Sequence, residues 1–280
     1  MLVEEAVNYS YNLLKNNNIL NAKLDSELIV SSIINIDRIN IHLELKQSLN
    51  HDQKLKLKNF VQRRIKNEPI AYILNKREFW NDKFYVNPSV LIPRPETEVL
   101  IDLLLKNIRK KEKFYYILDI GTGSGCVIIS LLSELKKSKG IGIDISKKAI
   151  SVAKINQKNS YLKSHLVFKV LNMFFFLNGL FDIIISNPPY LRSSCIKNLS
   201  SEIKSYEPKI AINGGKYGID YICKIIRLSR KNLKINGLLC LEIGDKQFLT
   251  LKKIYQRNFR LIDYFKQGNN MRCIILQKIF

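Results

Sequence analysis

Tryptophan is almost missing from this chain, with Trp80 alone among 280 residues, and histidine and methionine number three each. His42, His51 and His165 form no metal-ligand pair. The five cysteines (Cys126, Cys195, Cys223, Cys240 and Cys273) are odd in number and never spaced C-x-x-C. That excludes a zinc ribbon and a disulfide framework and points to free thiols in a reducing compartment. Acid is scarce as well: Asp+Glu is 24 against Lys+Arg 46, a formal net charge of +22. Such an excess suits a nucleic-acid neighbour, yet A/T-rich codon usage, visible in the Lys, Asn and Ile everywhere, gives the same number. Nucleic-acid contact is therefore allowed by the charge and not required by it. No apolar stretch follows the start, where Glu4 and Glu5 sit, so no secretory leader is expected. The most apolar region, Leu166 to Ser186, is interrupted by Lys169, Asn172, Asn178 and Asp182, which excludes a membrane span. Internal repeats and low-complexity linkers are also lacking. A cytoplasmic protein without metal or membrane is expected.

What is present is enough apolar residue, 46%, for a sizeable core. Residues 1–75 read as short helices. Val3, Ala6, Val7, Leu13 and Leu14 recur at helical spacing until the Asn16-Asn17-Asn18 run; a second helix covers about Asp25–Ile34 and a third Asp52–Asn67. The stripe Lys54, Lys56, Lys58, Arg63, Arg64 and Lys66 reads most simply as the solvated face of that third helix, with a partner surface the sharper alternative. Residues 76–95 read as a hairpin or connector leading into a helix, with Pro93 and Pro95 around Arg94 and acids Glu96 and Glu98 in its first turn, where the helix dipole favours them.

Residues 96–280 change pattern. Apolar runs at Tyr115–Ile120, Ile141–Ile145, Leu166–Leu171, Asp182–Ser186 and Leu238–Ile243 alternate with helical segments near 126–137, 146–158 and 217–234. That alternation predicts an α/β fold with a doubly wound, mostly parallel sheet. Two last strands, about Leu261–Phe265 and Arg272–Lys278, flank Gly268-Asn269-Asn270 and read as an edge hairpin.

"LDIGTGSG" puts Gly121, Thr122, Gly123, Ser124 and Gly125 between the first of these strands and its helix. Glycines let a ligand approach backbone N–H groups at a helix N-terminus; a mere tight turn is the plainer reading. A dinucleotide fingerprint needs glycine at 126, where Cys126 stands, so the ligand expected lacks a pyrophosphate. Asp144 ends the second strand, where an acid can take both ribose hydroxyls. Its plainer role, capping the next helix, falls to Ser146, leaving Asp144 free. Asn172 ends the third strand and offers adenine a hydrogen bond, or simply forms a turn. The set suggests a nucleoside cofactor, with S-adenosyl-L-methionine the best fit.

"FDIIISNPPYL" is the fourth strand, ending in Asn187, Pro188, Pro189 and Tyr190. An amide –NH2 is planar and its lone pair delocalised, so a site that methylates one must orient its hydrogens. The Asn187 side-chain oxygen and the Pro188 carbonyl can each accept one. The two prolines fix their φ values, and Tyr190 offers a flat face for stacking. A proline turn ending an edge strand is the alternative.

With "EPIAYILNKREFW", "LIPRPETE", "LDIGTGSG", "DIS", "SNPPY", "YEPKIAINGG" and "LEIG" in this order, the chain resembles the release-factor glutamine methyltransferases. These are class I S-adenosylmethionine-dependent enzymes of the N-P-P-Y type. The resemblance implies methylation of the amide nitrogen (N5) of the glutamine in the Gly-Gly-Gln motif of class I peptide chain release factors. It also implies a seven-stranded Rossmann-like methyltransferase domain and a small N-terminal helical domain that recognises the release factor. Gly121 to Gly125, Asp144 and Asn187 then take the cofactor positions, and Asn187 to Tyr190 the glutamine positions. Asn172 and Met173 replace the family's usual acid and tryptophan, Lys266 an acid, and Tyr217 an aspartate. Two other readings use the same motifs: adenine-N6 methylation of DNA or RNA, whose target is also a planar –NH2 group, and a non-catalytic binder on the same fold.

Overall fold

The computed structural model describes residues 1–108, 110–158, 162–173 and 179–280; Asn178, one of the expected polar breaks, lies outside them. The chain begins with α1 (Val3–Asn16), α2 (Ala22–Ile34), α3 (His51–Ile65), α4 (Ile70–Ile73), a hairpin of β1 (Arg77–Phe79) and β2 (Asp82–Phe84), and α5 (Pro95–Asn107). Next come β3 (Tyr116–Ile120), α6 (Cys126–Glu134), β4 (Lys139–Asp144), α7 (Lys147–Lys158), β5 (Leu166–Val170) and β6 (Phe181–Ser186). The last stretch holds α8 (Ser201–Tyr206), α9 (Asp220–Asn232), β7 (Leu233–Glu242), α10 (Phe248–Tyr255), β8 (Phe259–Gln267) and β9 (Asn270–Lys278). No helix of the described residues is long and apolar enough to cross a membrane.

Two compact units emerge. One comprises Met1–Asn75 with Ser200–Tyr206, the other Lys76–Leu199 with Glu207–Phe280. In the first, Val3, Ala6 and Leu14 of α1 pack with Ile29 and Val30 of α2 and Leu57 and Val61 of α3. Asn50 and Gln53 cap α3 reciprocally, each side chain accepting from the other's backbone N–H at 2.9 Å. The basic stripe of α3 needs one correction: Arg64 is not solvated but buried. Its Nε donates to Asp25 Oδ2 at 2.7 Å, and its Nη1 reaches the Glu68 carbonyl and Glu202, each at 3.1 Å. A buried cation requires such partners, and they come from segments the stripe does not reveal.

The second unit is a seven-stranded sheet in the order β5-β4-β3-β6-β7-β9-β8. β5, β4, β3, β6 and β7 run parallel, while β9 pairs antiparallel with β7 and β8. Alternate residues feed opposite faces, as the pleat demands. Ile117, Ile183 and Ile185 join the core under α5, α6 and α7, whereas Leu118, Ile184 and Leu239 join the one under α9 and α10. The fold is therefore a doubly wound, mostly parallel α/β sheet. β7 starts at Leu233, well before the expected Leu238, because Leu233 already pairs with Phe181. The helix expected to run to 234 accordingly stops at Asn232.

Candidate active site

Strand order locates the site. After β3 the chain steps outward to β4 and β5, then returns to the other side of β3 as β6. The carboxyl ends of β3 and β6 therefore flank the point where the winding reverses, and open α/β sheets bind ligands there. A cavity of about 340 Å³ opens at that place, within the range of small-molecule sites. Gly121, Thr122, Gly123, Ser124, Asp144 and Asn172 line it on one side and Asn187, Pro188 and Pro189 on the other. Gly125 and Tyr190 stand outside the lining.

The glycine turn is shaped by what surrounds it. Gly121, Gly123 and Gly125 have φ values of +72°, +55° and +80°, where a Cβ is strained. A Cβ on Gly121 would meet nothing within 4 Å, whereas one on Gly125 would lie 2.8 Å from Phe168 Cζ. Gly121 thus leaves its backbone open, and Gly125 lets the N-terminus of α6 seat on β5. Below the turn Asp119 is 2% exposed and accepts from Thr122 Oγ1 at 2.6 Å. Burial raises its pKa to about 7, and Asp144 adds to the rise.

Contrary to the expectation from the sequence, Asp144 is not left free. Gly123 N–H donates to its Oδ2 at 3.0 Å and Ser146 N–H to its Oδ1 at 2.9 Å, while Ser146 Oγ caps α7 by accepting from Ala149 N–H. Each carboxylate oxygen keeps a second lone pair. The acid is held at a fixed angle at the cavity wall. Burial raises its pKa and the backbone N–H groups of Ser146, Gly123 and Ile145 oppose that.

At the end of β6, Asn187 donates through Nδ2 to Thr97 Oγ1 at 2.8 Å, and Thr97 donates to Glu242 Oε2 at 2.7 Å. Tyr190 OH donates to the other oxygen of Glu242 at 3.0 Å and accepts from Arg272 Nη2 at 3.1 Å. The Arg272 guanidinium lies 5.1 Å from the Tyr190 ring centroid. Tyr190 thus differs from the expectation of a stacking face in the pocket: it packs on the α9 core with its phenol tied to Glu242. The turn behind it is buttressed by glycines. A Cβ on Gly214 would fall 2.7 Å from the Pro189 carbonyl oxygen and one on Gly218 2.5 Å from that of Tyr190. Gln247 Nε2 donates to the Tyr190 carbonyl at 2.9 Å. Among the described residues no group of three or more His, Cys, Asp and Glu side chains is placed to hold a metal ion.

Known proteins match this arrangement along nearly the whole chain. Residues 5–74 match the family model of the PrmC N-terminal domain, and residues 111–210 that of a methyltransferase domain. The release factor glutamine methyltransferase of Buchnera aphidicola is 38% identical over 92% of this chain and 93% of its own. Its counterpart from Fusobacterium nucleatum is 34% identical over 97% of this chain and 77% of its own. The chain belongs to the release factor glutamine methyltransferase family. Its fold is shared more widely: the catalytic domain of human hMettl16, solved with the MAT2A 3'UTR hairpin 6, superposes with a TM-score of 0.55 at 18% identity, covering 83% of this chain and 84% of that one.

In this family member several residues that shape the site are not singled out by spacing or periodicity. Asn156, on the buried face of α7, accepts from Tyr85 N–H at 2.7 Å and donates to the carbonyls of Tyr85 and Ser124 at 3.0 and 2.8 Å. Glu207 holds Arg94 in an ion pair and accepts from Ile92 N–H at 3.3 Å. Thr97 and Glu242 sit inside "IPRPETE" and "LEIG". An acid closing an otherwise apolar strand, "LLCLE", was a usable clue.

Proposed function

We propose that this protein methylates the side-chain amide nitrogen (N5) of the glutamine in the Gly-Gly-Gln motif of class I peptide chain release factors, using S-adenosyl-L-methionine. When bound, that cofactor supplies an electrophilic methyl carried on a sulfonium. Gly121, Thr122, Gly123 and Ser124 would hold it by close approach of their backbone at the cavity wall, with Gly125 shaping the turn beneath them, Asp144 through its remaining lone pairs, and Asn172 and Asn187 along the rim. The open space over Gly121 supports this fit.

The observation that carries the reading is the polarity of Asn187. Its Nδ2 is committed to Thr97, so its Oδ1 is the arm available to accept a hydrogen from an incoming amide. The Pro188 carbonyl accepts the second hydrogen. Pro188 and Pro189 fix φ before the substrate arrives, and Tyr190, tied to Glu242 and Arg272, holds the corner rigid. Positioning of this kind lowers a barrier by up to ~7–11 kcal/mol in favourable cases. The helical unit around Met1–Asn75 recognises the release factor, and the reaction takes place in the cytoplasm with translation factors.

Labelled S-adenosylmethionine offered together with a release factor and with nucleic acid tests this. Label enters the release factor at its Gly-Gly-Gln peptide, and a release factor with glutamate in place of that glutamine stays unlabelled. Label confined to DNA or RNA overturns the reading.

A further inference from the structure

Asn187 can accept a substrate hydrogen only if its amide is turned the right way, and nothing in a planar amide itself decides which arm leads. The decision lies two residues deeper. A hydroxyl has a single proton, and Thr97 donates its proton to Glu242 Oε2 at 2.7 Å. Towards Asn187 Thr97 can then only accept, and it meets Nδ2 at 2.8 Å. Thr97 is 2% exposed and Glu242 1% exposed, so both contacts are largely shielded from bulk water. The direction is set from the far end too: Arg272 Nη2 donates to Tyr190, and Tyr190 donates to Glu242 Oε1. All donors point into one carboxylate; burial raises its pKa, while the Thr97 and Tyr190 hydroxyls and the Arg272 charge oppose that, and in the ionised form it accepts and never donates.

We propose that Thr97 and Glu242 are positioning residues that lock the Asn187 amide with its oxygen towards the substrate. Glu242 stands outside the cavity lining and Thr97 within it, and the role assigned to both is exerted through Asn187. The proposal rests on the functional reading above and adds a device that fixes polarity across three side chains from β6, α5 and β7. Reversal follows from the same logic. A glutamine at 242 can present its –NH2 to Thr97 Oγ1; Thr97 then donates to Asn187, and the amide turns its –NH2 to the cavity, where it repels the –NH2 of the substrate.

The test compares Thr97→Ser, which keeps the hydroxyl, with Thr97→Val, which keeps the shape, and with Glu242→Gln. Two readouts are taken: kcat and KM on a release factor, and exchange protection of the Asn187 side-chain amide protons by 15N NMR without substrate. Thr97→Ser keeps both readouts near wild type. Thr97→Val and Glu242→Gln lower kcat roughly 100-fold, the scale of a misplaced reacting group, with KM little changed, and the Asn187 protons lose protection. Wild-type kcat with intact protection in Thr97→Val overturns the proposal, as does a Thr97→Ser variant impaired as deeply as Thr97→Val. Should the valine variant fail to fold, serine against glutamine decides by the same two readouts. The NMR signal needs no acceptor: a locked Asn187 in an enzyme that leaves release factors unlabelled overturns the functional reading while upholding the lock.

Discussion

Asn156 grips the backbone of Tyr85 from both sides, accepting from its N–H at 2.7 Å and donating to its carbonyl at 3.0 Å. The second amide proton goes to the Ser124 carbonyl at 2.8 Å, so one side chain on α7 ties the connector after β2 to the glycine turn. Asn156→Leu fills the space but leaves three backbone groups without that partner. An unsatisfied buried polar group costs about 1–3 kcal/mol, so this variant loses roughly 3 kcal/mol or more in urea unfolding. Because the glycine turn loosens with it, affinity for S-adenosylmethionine in calorimetry falls as well. Undiminished affinity in a destabilised variant would show that the turn holds its shape without Asn156.

Two glycines of the same region separate packing from ligand approach. A Cβ on Gly142 would lie 2.5 Å from Phe168 Cε1 and 2.8 Å from Thr122 Oγ1, whereas one on Gly121 would touch nothing. Gly142→Ala therefore overpacks the sheet and costs about 1–3 kcal/mol. Gly121→Ala strains only its own φ, at about 1 kcal/mol, and puts a methyl group on a residue that lines the cavity. Thermal melts fall more for Gly142→Ala, and cofactor affinity falls more for Gly121→Ala. The opposite ranking would place the ligand elsewhere.

Asp119 sets a pH dependence whose sign is fixed by burial. Its folded pKa is about 7, raised first by desolvation, opposed by the Thr122 hydroxyl and raised further by Asp144, with Cys126 also nearby. In the unfolded chain an aspartate titrates near ~3.9. Between those values the folded state binds a proton that the unfolded state has released, so stability falls as pH rises from ~4 to 7 and levels off above. The full span is on the order of 4 kcal/mol. Asp119→Asn, neutral throughout, flattens that slope in melts recorded from pH 4.5 to 8. Parallel curves for the two proteins would mean that Asp119 ionises freely where it sits.

The sheet was legible because buried parallel strands read as contiguous apolar runs punctuated by glycine and proline. "YILDI" and "FDIIIS" announce β3 and β6 directly. The same punctuation marked nine residues that line one cavity, from Gly121 to Pro189. What stayed hidden depends on partners distant in sequence. Arg64 looks like a surface cation until Asp25, 39 residues away, folds onto it. Thr97 meets Asn187 across 90 residues and Glu242 across 145, so neither contact leaves a local pattern. Tyr190 carried a motif, but its ring direction is set by Arg272 and Glu242, which no spacing rule connects to it. The short helices α4, α8 and α10 escaped for a related reason: at four, six and eight residues they are too short to show a helical period.

Glu207 offers a last test of how the cavity wall is held. Its carboxylate pairs with Arg94 and accepts from Ile92 N–H at 3.3 Å, and its own side chain is 1% exposed. Arg94 lines the cavity, and so do Pro208 and Ala211 just beyond Glu207, so one carboxylate clips two walls together. Hydrogen bonds to a charged group contribute about 1.5–3 kcal/mol, and Glu207→Ala loses an amount in that range. The wall then opens more often, raising KM for S-adenosylmethionine about tenfold, the equivalent of about 1.4 kcal/mol, and exposing the Ile92 amide to hydrogen exchange. Glu207→Gln, which keeps an acceptor for Ile92 but not the charge for Arg94, falls between the two. A Glu207→Ala enzyme with wild-type KM and a protected Ile92 amide would show that the walls stay together by apolar packing alone.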